Sequence, residues 1–313
     1  MKYQRVTTHL AETMSKLDVD KAMRDDYAKC ILADPQILAN IVKVIVPEFR
    51  EYSIKDIIPC IGETIVSLTV PEKLCIKIEC DGTEDVDIED GKIIYDIRFP
   101  LYYNNRTIKI LVNVEAQKSI SYTKLGYHIE SRMVYYMARL VSSQKNVEFI
   151  KSNYDDIKDV YSIWICMDTE VDEDSIIELG LQPRVIYGNT SWLPQRSIMN
   201  GAVIRIRSRA DVEESKNRLI AMLEVLFSGR ARQDKMNRLE EYGLEMTTEL
   251  EGCVNDMCNI SDLLVEESEE RGEKQARLDS IRTLMRKLNQ TAEEAMDTLD
   301  IEEKDRETYR KLL

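Results

Sequence analysis

The sequence predicts an α/β fold with a mixed central sheet flanked by helices, followed by an all-helical C-terminal region. Apolar residues recur at helical spacing over about the first fifty positions, β-branched segments dominate residues 65–117, and the pattern is helical again after residue 207. A helix-length segment separates the later strands, and such a connection lets two strands lie parallel, so a mixed sheet is expected. With 313 residues, 43% of them hydrophobic, the chain is long enough to bury a sizeable core.

The N-terminal region contains a well-marked helix. Asp34 can cap it, Pro35 suits its first turn, and Pro47 closes the segment. Apolar residues between these two prolines follow the i, i+3/i+4 pattern of a buried helix face: Ile37, Leu38, Ile41, Val42 and Ile45. A helix is therefore expected from about residue 35 to residue 46.

The following segments are typical of strands because they are rich in β-branched residues and either alternate or run continuously apolar. They are residues 65–70, 74–78, 92–99, 108–117, 160–167 and 201–207. A helix is expected over about 122–143, between the fourth and fifth of them. The α/β domain, including the N-terminal helices, is predicted to span residues 1–210.

Residues 211–313 are predicted to form the helical C-terminal region. Near its end, Thr291 and Glu294 have capping-box spacing. The short helices there suggest either a helix-turn-helix or an interaction and dimerisation arm. Residues 240–313 carry ten Lys or Arg and twenty-one acidic residues, a net charge of −11. This charge disfavours the helix-turn-helix, because a recognition helix of that sign repels phosphates.

The net charge of −14 argues against a nucleic-acid partner only if it is spread evenly along the chain. Residues 98–145 contain eight Lys or Arg and two acidic residues, a net charge of +6, with several tyrosines among them. Cations interleaved with aromatic side chains are typical of nucleic-acid binding, although any one tyrosine is equally well explained as a core residue. A second basic run, residues 205–218, either extends this surface or is simply solvated.

The remaining composition predicts a cytoplasmic protein without a membrane segment. No apolar run approaches the ~20 residues of a membrane helix, and the first ten residues lack a signal-peptide pattern. Seven cysteines, an odd number, mostly lie in apolar stretches and are expected to be reduced thiols. Only two histidines are present, and this disfavours a structural zinc site.

Two carboxylates are expected to meet at the end of adjoining strands. Alternation in the segment 108–117 places Asn113, Glu115 and Gln117 on one face, predicted to be open, and the apolar residues on the other. A hairpin loop before this segment brings Asp96 of the preceding strand beside Glu115. Such a pair repels itself unless a cation lies between its members, and oxygen ligands of this kind suit Mg²⁺ or Mn²⁺.

These residues also resemble a known family. Asp96, followed after eighteen residues by EAQ at 115–117, resembles the D…(D/E)-x-K signature of PD-(D/E)XK nucleases in its E-x-Q variant. The flanking segments resemble the PD-(D/E)XK nuclease family transposases, relatives of the recombination-promoting nucleases, over roughly residues 22–272. The segments that carry the resemblance are DDYAK at 25–29, with Ala28 where Phe is usual, YDIRF at 95–99, VNVEAQ at 112–117, RMVYYMARL at 132–140, VYSIWIC at 160–166 and MCNISD at 257–262.

The resemblance implies a restriction-endonuclease-like fold and assigns roles to individual residues. Asp96 and Glu115 would bind one or two Mg²⁺ ions, with the Ala116 carbonyl as a further ligand. Gln117 replaces the lysine of the signature and orients water without supplying charge. Phosphate and nucleic-acid contacts would come from Lys118, Arg132, Tyr136 and Arg139, and accessory roles from Asp25 and Lys29.

The function expected from these features is a metal-dependent endonuclease that hydrolyses phosphodiester bonds of DNA, linked to recombination, transposition or defence. Cutting both strands with one metal site per chain requires a second copy, so a homodimer is expected. Mg²⁺, or Mn²⁺ in its place, is the expected cofactor, and no small organic cofactor is expected. The alternative is a catalytically weak or inactive member of the same fold that binds DNA or protein, because Gln117 lacks the charge of the usual lysine.

Overall fold

The computed structural model describes residues 25–66, 84–87, 91–103, 108–117, 120–167, 173–193, 196–207, 214–228, 230–288, 291–301, 306, 309–310 and 313. The chain divides into two compact units, Met1–Cys258 and Asn259–Leu313. This division lies well beyond the sequence-predicted boundary at residue 210. The helices that immediately follow residue 210 therefore belong with the α/β unit.

The N-terminal part is helical, as predicted. Helix α1 covers residues 25–32, α2 covers Pro35–Ile45 and the short α3 covers Ile54–Ile57. The Asp34 carboxylate accepts a hydrogen bond of 2.8 Å from the backbone N–H of Gln36, which satisfies one of the free donors at the start of α2. The apolar face predicted for α2 is buried. Residues 1–24 lie outside the described part of the chain.

Eight strands lie in the described residues: β1 (Ile65–Val66), β2 (Glu84–Asp87), β3 (Gly91–Ile94), β4 (Ile97–Tyr103), β5 (Ile108–Gln117), β6 (Val160–Cys166), β7 (Ser175–Gly180) and β8 (Met199–Arg205). Six of them form one sheet in the order β1-β4-β5-β6-β8-β7, and β2 pairs with β3 separately. Strands β5, β6 and β8 are parallel, whereas β1, β4 and β7 are antiparallel to their neighbours. The predicted mixed sheet is therefore confirmed.

The crossover between β5 and β6 contains two helices, α4 (Tyr122–Leu125) and α5 (Ile129–Ser142), where the sequence predicts one. Gly126 separates them because its φ of 77° is a left-handed conformation that ends α4.

The strand predicted over 92–99 is also divided, since the chain bends at Tyr95 and Asp96 between β3 and β4. Strand β7 is not predicted from the sequence, and residues 74–78 lie outside the described part.

In the described residues the sheet is followed by α6 (Arg218–Phe227), α7 (Arg232–Glu241), α8 (Thr248–Leu288) and α9 (Ala292–Thr298), and residues 306 and 309–310 are helical as well. Helix α6 is buried continuously from Leu219 to Leu226, which explains why it belongs to the α/β unit. In the second unit, the predicted capping box of Thr291 and Glu294 is present at the start of α9. No helix in the described ranges combines the length and apolar character that crossing a bilayer requires.

Both faces of the central sheet are buried, as expected where its middle strands are parallel. On one face, α5 packs its Met133 and Tyr136 against Tyr95 and Trp164. On the other face, alternate residues of β5 and β6 are equally buried, among them Val112, Val114, Ile163 and Ile165. Helix α5 therefore lies directly over the face that carries the predicted polar residues of β5.

Replacing Asp34 by Ala is expected to lower the free energy of unfolding by about 1 kcal/mol, because α2 then loses its N-terminal acceptor. Urea unfolding of the full chain, followed by circular dichroism, measures the change. Asp34→Asn keeps an acceptor oxygen and is the matched control. Equal destabilisation by both substitutions would contradict the capping role.

Candidate functional site

The register of β4 and β5 brings the two predicted carboxylates together. Ile97 pairs with Val114, so Asp96, which directly precedes β4, lies opposite Glu115. The backbone N–H of Asp96 donates to Glu115 Oε1 at 3.2 Å, and the backbone N–H of Ala116 donates to Asp96 Oδ2 at 3.0 Å. The expected meeting of Asp96 and Glu115 is therefore confirmed.

The sequence predicts that the polar face of β5 is open, but in the structure this face is covered. Asn113 is fully buried and Glu115 is only 2% exposed, because α5 covers this face. The Asn113 amide donates to Glu115 Oε1 at 3.2 Å, so this oxygen accepts two hydrogen bonds. The prediction of an open face is wrong for these two residues, and the site at Glu115 lies at the boundary of the core.

Lys29 of α1 lies against the carboxylate pair. Its Nζ is 3.2 Å from Asp96 Oδ1 and 3.1 Å from Asp25 Oδ2, and the residue is 8% exposed. Burial disfavours the charged form of Lys29, but the carboxylates of Asp96 and Asp25 outweigh burial and raise its pKa above the usual value. The two residues predicted to have accessory roles, Asp25 and Lys29, are thus brought into one cluster with Asp96.

Arg132 of α5 approaches the pair from the other side, with its guanidinium 3.9 Å from Glu115 Oε2. It donates hydrogen bonds to the hydroxyls of Tyr127 (3.0 Å) and Tyr136 (2.7 Å). The guanidinium also lies over the rings of Tyr136 and Trp164, 4.9 and 5.1 Å from their centroids. Two hydroxyls and two rings therefore fix Arg132 next to Glu115.

The Tyr136 side chain is part of the core. It is 7% exposed, and its ring packs against Tyr95 and Trp164 at centroid distances of 5.3 and 5.5 Å. A ring in this position cannot stack on a base, so its visible role is to support Arg132. Arg139 lies two turns further along α5, roughly 10 Å from Arg132 along the helix axis.

Other predicted site residues are located less fully. Gln117 is the last residue of β5, two positions after Glu115, and its side chain lies outside the described part. Lys118 lies outside it as well. Ala116 contributes its backbone N–H to Asp96, and a contact of its carbonyl with metal stays a prediction. Tyr127 and Trp164 were not singled out from the sequence as Arg132 partners, and no local pattern marks them as such.

The electrostatics of the site favour binding of an additional cation. Burial and the negative charge of Asp96 raise the pKa of Glu115 well above its usual value. Burial also raises the pKa of Asp96, against the opposing effect of Lys29. A cation bound between the two carboxylates would offset both effects, because it favours the charged form of each.

The donor set fits a hydrated magnesium ion. Among the residues that the structure describes, no three His, Cys, Asp or Glu side chains form a group that could hold a metal ion. Mg²⁺ does not require such a group, because it commonly takes one or two protein carboxylates and completes its shell with water and substrate phosphate. Asp96 and Glu115 could supply those two carboxylates.

Comparisons with profiles of known protein families, with curated proteins and with solved structures found no match.

Replacing Glu115 by Gln is expected to stabilise the metal-free protein at pH 7. A carboxyl whose pKa is raised on folding binds its proton more tightly in the folded state, so wild-type stability falls as pH rises above the usual value of 4.5. The stabilisation by Glu115→Gln should therefore shrink as pH falls towards 4.5. Thermal unfolding between pH 4.5 and 8, with EDTA, measures it.

The matched control for this prediction is Glu130→Gln, since Glu130 is an exposed carboxylate on α5. It should leave stability nearly unchanged across the same pH range. A Glu115→Gln protein that is less stable than wild type at pH 7 would contradict the prediction. It would mean that the charge contributes more through Arg132 and the neighbouring N–H groups than it costs through burial.

Proposed function

We propose that this protein is a metal-dependent endonuclease that hydrolyses phosphodiester bonds of DNA. The observation that carries the proposal is the reciprocal pairing of Asp96 and Glu115 at one end of β4 and β5, with Lys29 and Arg132 beside them. Two carboxylates with adjacent cations are the groups that such chemistry requires: the acids hold a metal ion, and the cations contact phosphate.

Each residue has a definite part in the proposed mechanism. Asp96 and Glu115 would hold Mg²⁺ or Mn²⁺, and the bound ion would activate a water and neutralise charge on the leaving oxygen. The Ala116 N–H keeps Asp96 oriented, and the backbone N–H of Asp96 keeps Glu115 oriented. Arg132 presents a fixed guanidinium that suits bidentate binding of a phosphate. Gln117 would orient the water. Lys118 and Arg139 would make further contacts along the phosphate backbone of the DNA.

Membership of the PD-(D/E)XK nuclease family transposases is part of the same proposal. The mixed sheet flanked by helices supports a restriction-endonuclease-like fold, with the acids on adjoining strands and EAQ at 115–117. The net charge of +6 over residues 98–145 supports DNA as the substrate. A homodimer that acts in the cytoplasm, in recombination, transposition or defence, completes the proposal.

Two observations favour a second candidate, a catalytically weak or inactive module on the same fold that binds DNA or protein. The signature lysine is replaced by Gln117, and Lys29 already occupies Asp96 Oδ1. If Lys29 stays bound to Asp96 when metal and DNA are present, its positive charge opposes metal binding at the carboxylate pair. Binding of DNA without cleavage under every metal condition would support this candidate.

Supercoiled plasmid incubated with the protein is expected to be nicked in Mg²⁺ or Mn²⁺ but not in EDTA. Asp96→Asn and Glu115→Gln should each lower the initial rate by at least about a hundredfold, because each removes the charge of one metal ligand. Glu130→Gln, which removes a carboxylate from the exposed side of α5, should cleave like wild type. Metal-dependent cleavage that survives both ligand substitutions would refute the site.

A further inference from the structure

We propose that Lys29 is a resident counter-ion of the carboxylate pair: it competes with the metal for Asp96 and, once displaced, supplies to the substrate phosphate the positive charge that Gln117 lacks. This inference rests on the proposed function. It concerns a residue of α1, which lies 67 residues before Asp96 in the sequence.

The competition follows from the partners of the four carboxylate oxygens. Glu115 Oε1 and Asp96 Oδ2 are bound by N–H groups of the sheet and its edge. Asp96 Oδ1 and Glu115 Oε2 face the two cations, Lys29 at 3.2 Å and Arg132 at 3.9 Å. A metal ion bound through Asp96 Oδ1 would lie beside the Lys29 ammonium, so the two cations would repel each other and compete for this oxygen, whereas the Arg132 contact is already beyond hydrogen-bond distance.

The two cations differ in how easily they can move. Arg132 is held by two tyrosine hydroxyls and two aromatic rings. The Lys29 ammonium ends a flexible four-carbon chain and has two carboxylate partners. When Asp96 is taken by metal, Asp25, one helical turn before Lys29 and 34% exposed on its side chain, can still hold the ammonium. Asp25 therefore keeps Lys29 at the edge of the site.

Lys29 also carries a positive charge of the kind that the lysine of the D…(D/E)-x-K signature would supply and that Gln117 lacks. Gln117 ends β5 two residues after Glu115, and a neutral amide cannot offset charge that develops on a phosphate. In this role Lys29 acts as a cation and transfers no proton. Its role is electrostatic, so it places a positive charge near the metal ligands without being a ligand itself.

The test measures Mn²⁺ affinity by isothermal titration calorimetry, without DNA, and plasmid nicking at saturating Mn²⁺. Lys29→Met should bind Mn²⁺ at least about tenfold more tightly, because the competing ammonium is gone. It should nick about a hundredfold more slowly, because the charge near the phosphate is gone. The opposite directions of the two effects separate this role from a structural one, which would lower both affinity and rate.

Two further variants keep the test decisive. Lys29→Arg retains the charge and should return the Mn²⁺ affinity, and part of the nicking rate, towards the wild-type values. This variant keeps the test informative even if Lys29→Met does not fold. Lys55→Met, a substitution at an exposed lysine of α3, should change neither quantity. The inference is overturned if Lys29→Met binds Mn²⁺ no more tightly than wild type, or if it nicks at the wild-type rate.

Failure of the proposed function gives a different result. A wild-type protein that binds Mn²⁺ but never cleaves would overturn the nuclease proposal and, with it, the contribution of Lys29 to cleavage. The Mn²⁺ affinities of the Lys29 variants would still decide whether Lys29 competes for Asp96, since calorimetry requires no cleavage.

Discussion

The pairing of β4 with β5 is the constraint on which the rest of the site depends. Because Ile97 lies opposite Val114, each of the two acids receives a hydrogen bond from the backbone beside the other. A slip of one residue would turn Glu115 to the opposite face, among Val112 and Val114, and would break both bonds. The burial of both sheet faces makes such a slip expensive, so the hydrophobic core fixes the geometry of the acids.

Burial makes this site an electrostatic compromise. Glu115 lies under α5, where its charged form is disfavoured, and the neighbouring N–H groups and Arg132 offset only part of that effect. Burial likewise disfavours the charged form of Asp96, and the Lys29 ammonium offsets only part of that effect. Two carboxylates held side by side with raised pKa values are typical of functional sites, because selection for stability alone would replace them. This is why the pair, rather than any single residue, supports a function.

Local patterns predicted the features that depend on neighbouring residues. The cap at Asp34, the strand Ile108–Gln117 and the meeting of Asp96 with Glu115 all follow from spacing or alternation. Features set by distant segments were not predictable in this way. Burial of the polar face depends on how α5 packs, and the contact of Lys29 with Asp96 joins residues far apart in the chain. The break at Gly126 was visible as a glycine, but its left-handed backbone was not.

The aromatic surroundings of Arg132 have a consequence for the thermodynamics of ligand binding. A free arginine side chain loses about 2 kcal/mol of rotamer entropy when it is immobilised. Tyr127, Tyr136 and Trp164 impose that loss during folding, before any ligand arrives. An anion that binds this guanidinium therefore does not have to immobilise it. The anion binds more tightly than it would to a freely rotating arginine that makes the same contacts. Lys29 has fewer restraints, so one side of the site is rigid while the other can adapt to the ligand's shape.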